Sequence, residues 1–83
     1  MLIDEIDLHG YNYADAEREV DAFLNEHWDK NGIPEGELKI ITGHSTGMAK
    51  IVMGVLELYE LDYRIGGALG MDDSYIIIYN KLS

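Results

Sequence analysis

Apolar and polar positions alternate imperfectly from Leu2 to Leu8, with Ile6 and Leu8 on one face and Glu5, Asp7 and His9 on the other. A period of two is the signal of a half-buried strand, and this one ends at Gly10. Beyond it the period changes. Ala16, Val20, Phe23, Leu24, His27 and Trp28 recur at helical spacing and form one apolar stripe on a helix of about four turns. Asp15, Glu17, Glu19, Asp21 and Glu26 cover much of the remaining surface. Asn12 is the N-cap, and Asp15 stands three residues on, where a capping box carries Glu. Asn31-Gly32 ends the helix, and Pro34 prevents it from resuming.

Leu38-Lys39-Ile40-Ile41-Thr42 reads as a second strand and Gly43-His44-Ser45-Thr46-Gly47 as a turn. From Met48, apolar residues at Ile51, Val52, Val55, Leu56 and Tyr59 mark a second amphipathic helix. Gly54 inside it costs about 1 kcal/mol against Ala, which implies close packing there. Asp62 to Ile65 is a short third strand. A glycine-rich connection follows, Gly66-Gly67-Ala68-Leu69-Gly70 with Met71-Asp72-Asp73. Tyr75-Ile76-Ile77-Ile78-Tyr79 is the last strand, and its unbroken β-branched run predicts burial on both faces and a central place in the sheet. The order β-α-β-α-β-β gives a two-layer α/β domain, with two helices on a four-stranded mixed sheet and right-handed crossovers.

With 83 residues the chain fits one domain, 1–83, and leaves no room for a second. Hydrophobic content of 47% sustains a core. No cysteine is present, which removes disulfides and thiolate zinc sites and is compatible with a reducing, cytoplasmic setting. The start Met1-Leu2-Ile3-Asp4-Glu5 lacks the basic residues and apolar run of a signal peptide. No apolar stretch approaches the roughly 20 residues that span a bilayer.

Charge complicates the picture. Sixteen acidic residues oppose six basic ones, a net −10. Nucleic-acid-binding domains usually present a basic face that displaces counterions from phosphates. A chain this acidic repels a polyanion unless a local basic patch, a metal ion or a partner intervenes. Lys39, Lys50 and Arg64 are the cations to watch: clustered near His9, they favour a polyanion. Solubility and solvated helix faces are the plainer account of the acidity.

Certain residues are familiar as a set. Ile6-Asp7-Leu8-His9-Gly10 is similar to the Leu-Asp-Leu-His-Gly opening of Smr (small MutS-related) domains, in which a helix follows a short polar cap. Ile40-Ile41-Thr42-Gly43-His44-Ser45-Thr46-Gly47 resembles that family's second motif, a strand running into His-Gly-x-Gly-x-Gly, and Tyr63-Arg64-Ile65-Gly66-Gly67 resembles its third strand and glycine loop. The chain departs from the pattern in three places: Thr42 stands where the family commonly has His, Ser45 stands where it has the middle Gly, and the loop from Ala68 to Asp73 carries two acids where many members are glycine-rich and neutral. The resemblance implies a domain that binds, and in several members cleaves, RNA or DNA. A divalent cofactor, Mg²⁺ or Mn²⁺, is left open.

The residues themselves support such chemistry. Asp7 and His9 are two apart on a strand, so they share a face, and they sit at its carboxyl end, where open α/β sheets bind ligands. The second strand brings the turn at Gly43 and Gly47 beside them. The helix start offers free N–H groups and the positive end of its dipole, so Gly43, Ser45, Thr46 and Gly47, with Lys50 in the first turn, form a candidate phosphate site. Asp7, His9 and His44 are the candidate catalytic residues. Histidine's ordinary pKa of about 6.5 suits proton transfer, with Asp7 orienting His9 or helping to hold a cation.

Each of these residues has a structural alternative. Asp7 caps the turn at Gly10, His9 bonds a carbonyl, His44 is an exposed turn residue, the glycines satisfy backbone geometry, and Lys50 is solvated. His27 reads as a core-edge residue and Trp28 as core or a subunit contact. Tyr11, Tyr13 and Tyr63 are able to stack on bases, although Tyr11 is more simply a hydrophobic staple to Ala16 and Tyr63 a strand residue with one wet edge. Asp72 and Asp73 read as a solvated loop. Three functions remain: a nucleic-acid-directed protein, at its sharpest an endonuclease; a catalytically inactive acidic module binding a basic protein surface; and an enzyme acting on a small phosphorylated substrate.

Overall fold

The computed structural model describes residues 2–28, 32, 36–43, 45–67 and 74–79. His44, Asn31, Pro34 and the segment holding Asp72 and Asp73 lie outside them. The described residues form β1 (Leu2–Asp7), α1 (Tyr13–His27), β2 (Glu37–Ile41), α2 (Thr46–Leu58), β3 (Asp62–Gly66) and β4 (Tyr75–Tyr79). The β-α-β-α-β-β order and the two-layer α/β architecture agree with the expectation.

The sheet order is β1-β2-β4-β3. β1 and β2 are parallel, which requires a crossover, and α1 supplies it. β4 runs antiparallel to both β2 and β3 and lies between them. One row across the sheet aligns Asp4, Leu38, Ile78 and Tyr63. Its two ends reach different helices: Asp4 bonds His27 of α1, and the Tyr63 hydroxyl donates to Glu57 of α2. Both helices therefore cover the same face.

Between the layers lies a core whose fully enclosed members include Leu8, Val20, Leu24, Ile40, Val52, Leu56, Ile76 and Ile78. Each such side chain stabilises the fold by roughly 1.5–3 kcal/mol relative to exposure. Ile77 points the other way, between Lys39 and Arg64 in register, and is still only 5% exposed. The β-branched run of β4 is thus buried on both faces, as its central position demands.

The structure departs from the sequence reading at several points: β1 stops at Asp7, short of Gly10, so His9 lies in the turn that follows and not on the strand. α1 stops at His27, short of Asn31-Gly32, because Trp28 turns to an extended conformation and its ring packs on Tyr59 at 5.5 Å between centroids. α2 starts at Thr46 rather than Met48, because the Ser45 side chain accepts the Met48 N–H and caps the helix. Gly54 faces solvent, and a Cβ there would meet nothing within 4 Å, so it is not a packing glycine. At the other cap Asn12 accepts the Asp15 N–H as expected, and the Asp15 carboxylate pairs with Arg18. No helix among the described residues is long and apolar enough to cross a membrane.

Candidate functional site

The ladder between β1 and β2 continues one residue past Asp7, with the Leu8 N–H bonded to the Ile41 carbonyl at 3.0 Å. The chain then turns, the Tyr11 N–H returning to the Leu8 carbonyl at 3.2 Å. Inside this turn Asp7 Oδ1 accepts two bonds from one residue: the His9 N–H at 2.9 Å and His9 Nδ1 at 2.7 Å. Asp7 therefore does cap the turn, and the same oxygen orients the imidazole. The His9 backbone N–H is the main reason that the Asp7 carboxyl is held below its ordinary pKa; partial burial opposes the shift, and the imidazole adds to it. An ionised carboxylate only accepts, so Nδ1 is the donor in this pair and carries the proton. In the neutral ring Nε2 is then the basic nitrogen.

The second motif meets the first through its glycines. Gly43 has φ +69°, and a Cβ on it would lie 3.0 Å from His9 Cδ2 and Cε1 and closer still to Nε2. A Cβ on Gly47 would lie 2.8 Å from Tyr13 Cζ and closer to the hydroxyl. Contacts under 3.0 Å require something to move, so each glycine makes room for one ring from the β1–α1 segment. The two rings occupy the side of these glycines where a Cβ would stand.

Thr42 and Gly43 are held rigidly beneath. Both donate their N–H to the Ser74 carbonyl at 3.1 Å, and the Thr42 hydroxyl reaches the same oxygen at 3.2 Å. Thr42 and Ser74 are buried, and this hydroxyl satisfies itself internally. The position where a histidine is common therefore carries a structural side chain in this chain.

Ser45 spends its hydroxyl on Met48 N–H at 3.0 Å and its carbonyl on Ala49 N–H at 3.2 Å. The amides of Thr46 and Gly47, ahead of both, are those a capped helix still offers to an anion. Leu8, His9, Tyr11, Tyr13, Thr42 and Ser45 line a shallow hollow of about 160 Å³. His9 and Ser45 are thus brought together as expected, with Gly43, Gly47 and Asp7 in contact with the lining residues. Lys50 is the fifth residue of α2, beyond its first turn, and is not among the lining residues. Arg64 pairs with Glu37 at 3.0 Å, and the Lys39 ammonium lies 4.5 Å above the Tyr75 ring. Lys39, Lys50 and Arg64, whose clustering near His9 would favour a polyanion, are therefore not among the described residues that line the hollow.

Among the described residues, the donors at the hollow do not make a resident Mg²⁺ or Mn²⁺ site. Among the described residues Asp7 is the carboxylate there, and one of its oxygens is committed to His9. A hard cation takes six or more oxygen ligands, and Mg²⁺ held by so few carboxylates depends on substrate phosphates. Asp4, Glu26 and His27 do lie close together, at the far end of α1. His27, packed edge-on against Phe23 at 5.2 Å, reaches Asp4 at 3.0 Å and ties the end of α1 to β1. It is a core-edge residue with a defined partner.

Tyr11 and Tyr13 are the site residues that sequence reasoning underweighted. Their signal was position: two and four residues after His9, on either side of the N-cap, they must share its surroundings. Tyr11 is 41% exposed and lines the hollow. A larger groove of about 660 Å³ lies between the helices, with Glu17, Asp21, Ala22, Val55 and Leu58 among its lining residues. Neither Asp7 nor His9 lines it.

The Smr domain family model matches residues 6–63, well over half of the chain. No curated protein and no solved structure matches it. The matched segment holds the Asp7–His9 pair, both glycines and the capped start of α2, and the described fold has the element order that the motifs implied. On these grounds the chain belongs to the Smr domain family, a family associated with nucleic acids.

Proposed function

We propose that this chain is a nucleic-acid-directed endonuclease with His9 as its acid–base residue. The observation that carries the reading is the 2.7 Å pair between Asp7 Oδ1 and His9 Nδ1 at the carboxyl ends of the parallel strands. A carboxylate that fixes one imidazole nitrogen as donor makes the other a base, the relation by which an orienting acid activates histidine in many hydrolytic sites. Nε2 takes the proton of the attacking oxygen, a ribose 2′-hydroxyl or a water. That oxygen bonds to phosphorus, the bond to the leaving oxygen breaks, and solvent or a second acid protonates the leaving group. His44 is the residue the sequence supplies as a second acid. The Thr46 and Gly47 amides at the start of α2 favour the charge that develops on the phosphoryl oxygens.

The test is cleavage of labelled single- and double-stranded RNA and DNA at low salt, with EDTA, Mg²⁺ or Mn²⁺. Cleavage of at least one substrate supports the reading, and its persistence in EDTA supports a metal-independent route. No cleavage and no retention of any substrate overturns it.

A second reading, an acidic module for a basic protein surface, is favoured by the groove between α1 and α2. Its lining includes Ala22, Val55 and Leu58, the last 84% exposed, with the acids Glu17 and Asp21 and with Arg18, whose guanidinium pairs with Asp15. A lysine-rich amphipathic helical peptide is the suitable probe, and its binding should disappear when Glu17 and Asp21 are both changed to lysine.

A further inference from the structure

We propose that Tyr11 and Tyr13 seat an unpaired base beside His9, so that the substrate class is single-stranded nucleic acid rather than duplex; this rests on the nucleic-acid reading above. Both rings line the same small hollow as the imidazole. Both are exposed, Tyr11 by 41% and Tyr13 by 50%, in a domain that encloses most of its large apolar side chains. Tyr13 is also held in place. It lies against Gly47, where a Cβ would collide with it, and its hydroxyl is 3.4 Å from Ser45 Oγ. A ring fixed on one side and open on the other loses little freedom when a base stacks on it.

Charge makes the same choice. The chain carries a net −10, and no lysine or arginine is among the described residues that line the hollow. Counterion release, which supplies most of the affinity of ordinary duplex binders, is weak here. Stacking on an aromatic ring needs no positive charge and tolerates any base. A base inside a duplex is already stacked and paired, and extruding it has a cost that an acidic surface does not offset. A single strand presents its bases without that cost, and the phosphate next to a base stacked on Tyr13 falls near His9 and the first amides of α2.

The experiment is fluorescence anisotropy in EDTA at low salt, using short labelled single strands of RNA and of DNA and the matching duplexes. The variants are Tyr11→Ala, Tyr13→Ala, Tyr11→Phe and Tyr13→Phe, with thermal melting as the check on folding. The expected result is that wild type prefers single strands, that each alanine variant weakens single-strand binding on the order of tenfold, and that the phenylalanine variants retain it. Tyr11 is the safer position should Tyr13→Ala fail to fold, because its ring is not packed on Gly47. Equal binding of single strand and duplex, unchanged in the alanine variants while cleavage persists, overturns this inference and leaves the nuclease reading standing. No binding of any nucleic acid and no cleavage overturns both.

Discussion

The imidazole of His9 lies directly over the backbone of Gly43, in the space a side chain at that position would need. The consequence is a contrast between two glycines. Gly43→Ala brings a Cβ into His9 and places an L-residue at φ +69°, which alone costs about 1–2 kcal/mol. It should lower the melting temperature and, by displacing His9, remove cleavage. Gly54→Ala adds a methyl in open solvent on α2 and should stabilise the fold by about 1 kcal/mol with cleavage unchanged. Melting curves and cleavage rates of the two variants, measured side by side, check both statements.

Glu60 ends α2 in the left-handed region, at φ 58°. Around it the Glu60 N–H bonds the Glu57 carbonyl and the Leu61 N–H bonds the Leu56 carbonyl, the paired bonds of a Schellman cap. Glycine prefers this position. Glu60→Gly relieves about 1–2 kcal/mol of conformational cost and returns part of it through a freer unfolded chain, for a net gain of about 0.5–1 kcal/mol. A rise of a few degrees in melting temperature is the expected result; a fall would mean that the Glu60 side chain contributes a contact outweighing its backbone strain.

Most of this architecture was legible along the chain, and the exceptions share a cause. Hydrophobic period reports which face of an element is buried, so the strands, both helices and the two-sided burial of Ile76 to Ile78 could be read from it. Period says little about where an element stops. The ends of α1 and α2 are decided by the Trp28–Tyr59 contact and by the Ser45 hydroxyl, and only the second has a sequence signal, a serine three residues before Met48. At the site, Asp7 and His9 were readable as neighbours from their spacing, although β1 ends at Asp7 and it is the turn, not the strand, that folds His9 back onto the carboxylate. What lies over Gly43 and Gly47 was not, since those partners come from a distant segment. The same holds for Lys39 and Arg64, which the sheet commits to Tyr75 and Glu37.

Asp7 also sets a pH dependence. Its folded-state pKa lies below the usual carboxylate value, mainly through the His9 N–H. Its contribution to stability is therefore present above the unfolded pKa of about 3.9 and is lost as pH falls through the lower folded value. Asp7→Asn lacks that contribution. Its melting temperature should lie below that of wild type near neutral pH, with the gap closing below about pH 4. A gap that persisted unchanged into strong acid would show that the carboxylate's ionisation is not what matters. Asp4, held low chiefly by His27, should behave alike in Asp4→Asn.

Ser45 is a cap before it is anything else. Ser45→Ala removes the acceptor for the Met48 N–H and should cost about 1 kcal/mol, whereas Ser45→Gly should cost only a few tenths. Chemical denaturation resolves the two. Cleavage that survives in Ser45→Gly would show that the hydroxyl serves the helix and not the phosphate.

The central claim is that His9, oriented by Asp7, moves the proton in phosphodiester cleavage. The most direct measurement is the single-turnover cleavage rate of a labelled single-stranded RNA by wild type, by His9→Ala and by Asp7→Asn, each first shown to be folded. The account predicts that His9→Ala falls by about 10²–10⁴-fold and that Asp7→Asn loses activity as its partner's orientation is lost. Wild-type cleavage undiminished in His9→Ala would contradict it and return the search for the acid–base group to the rest of the chain.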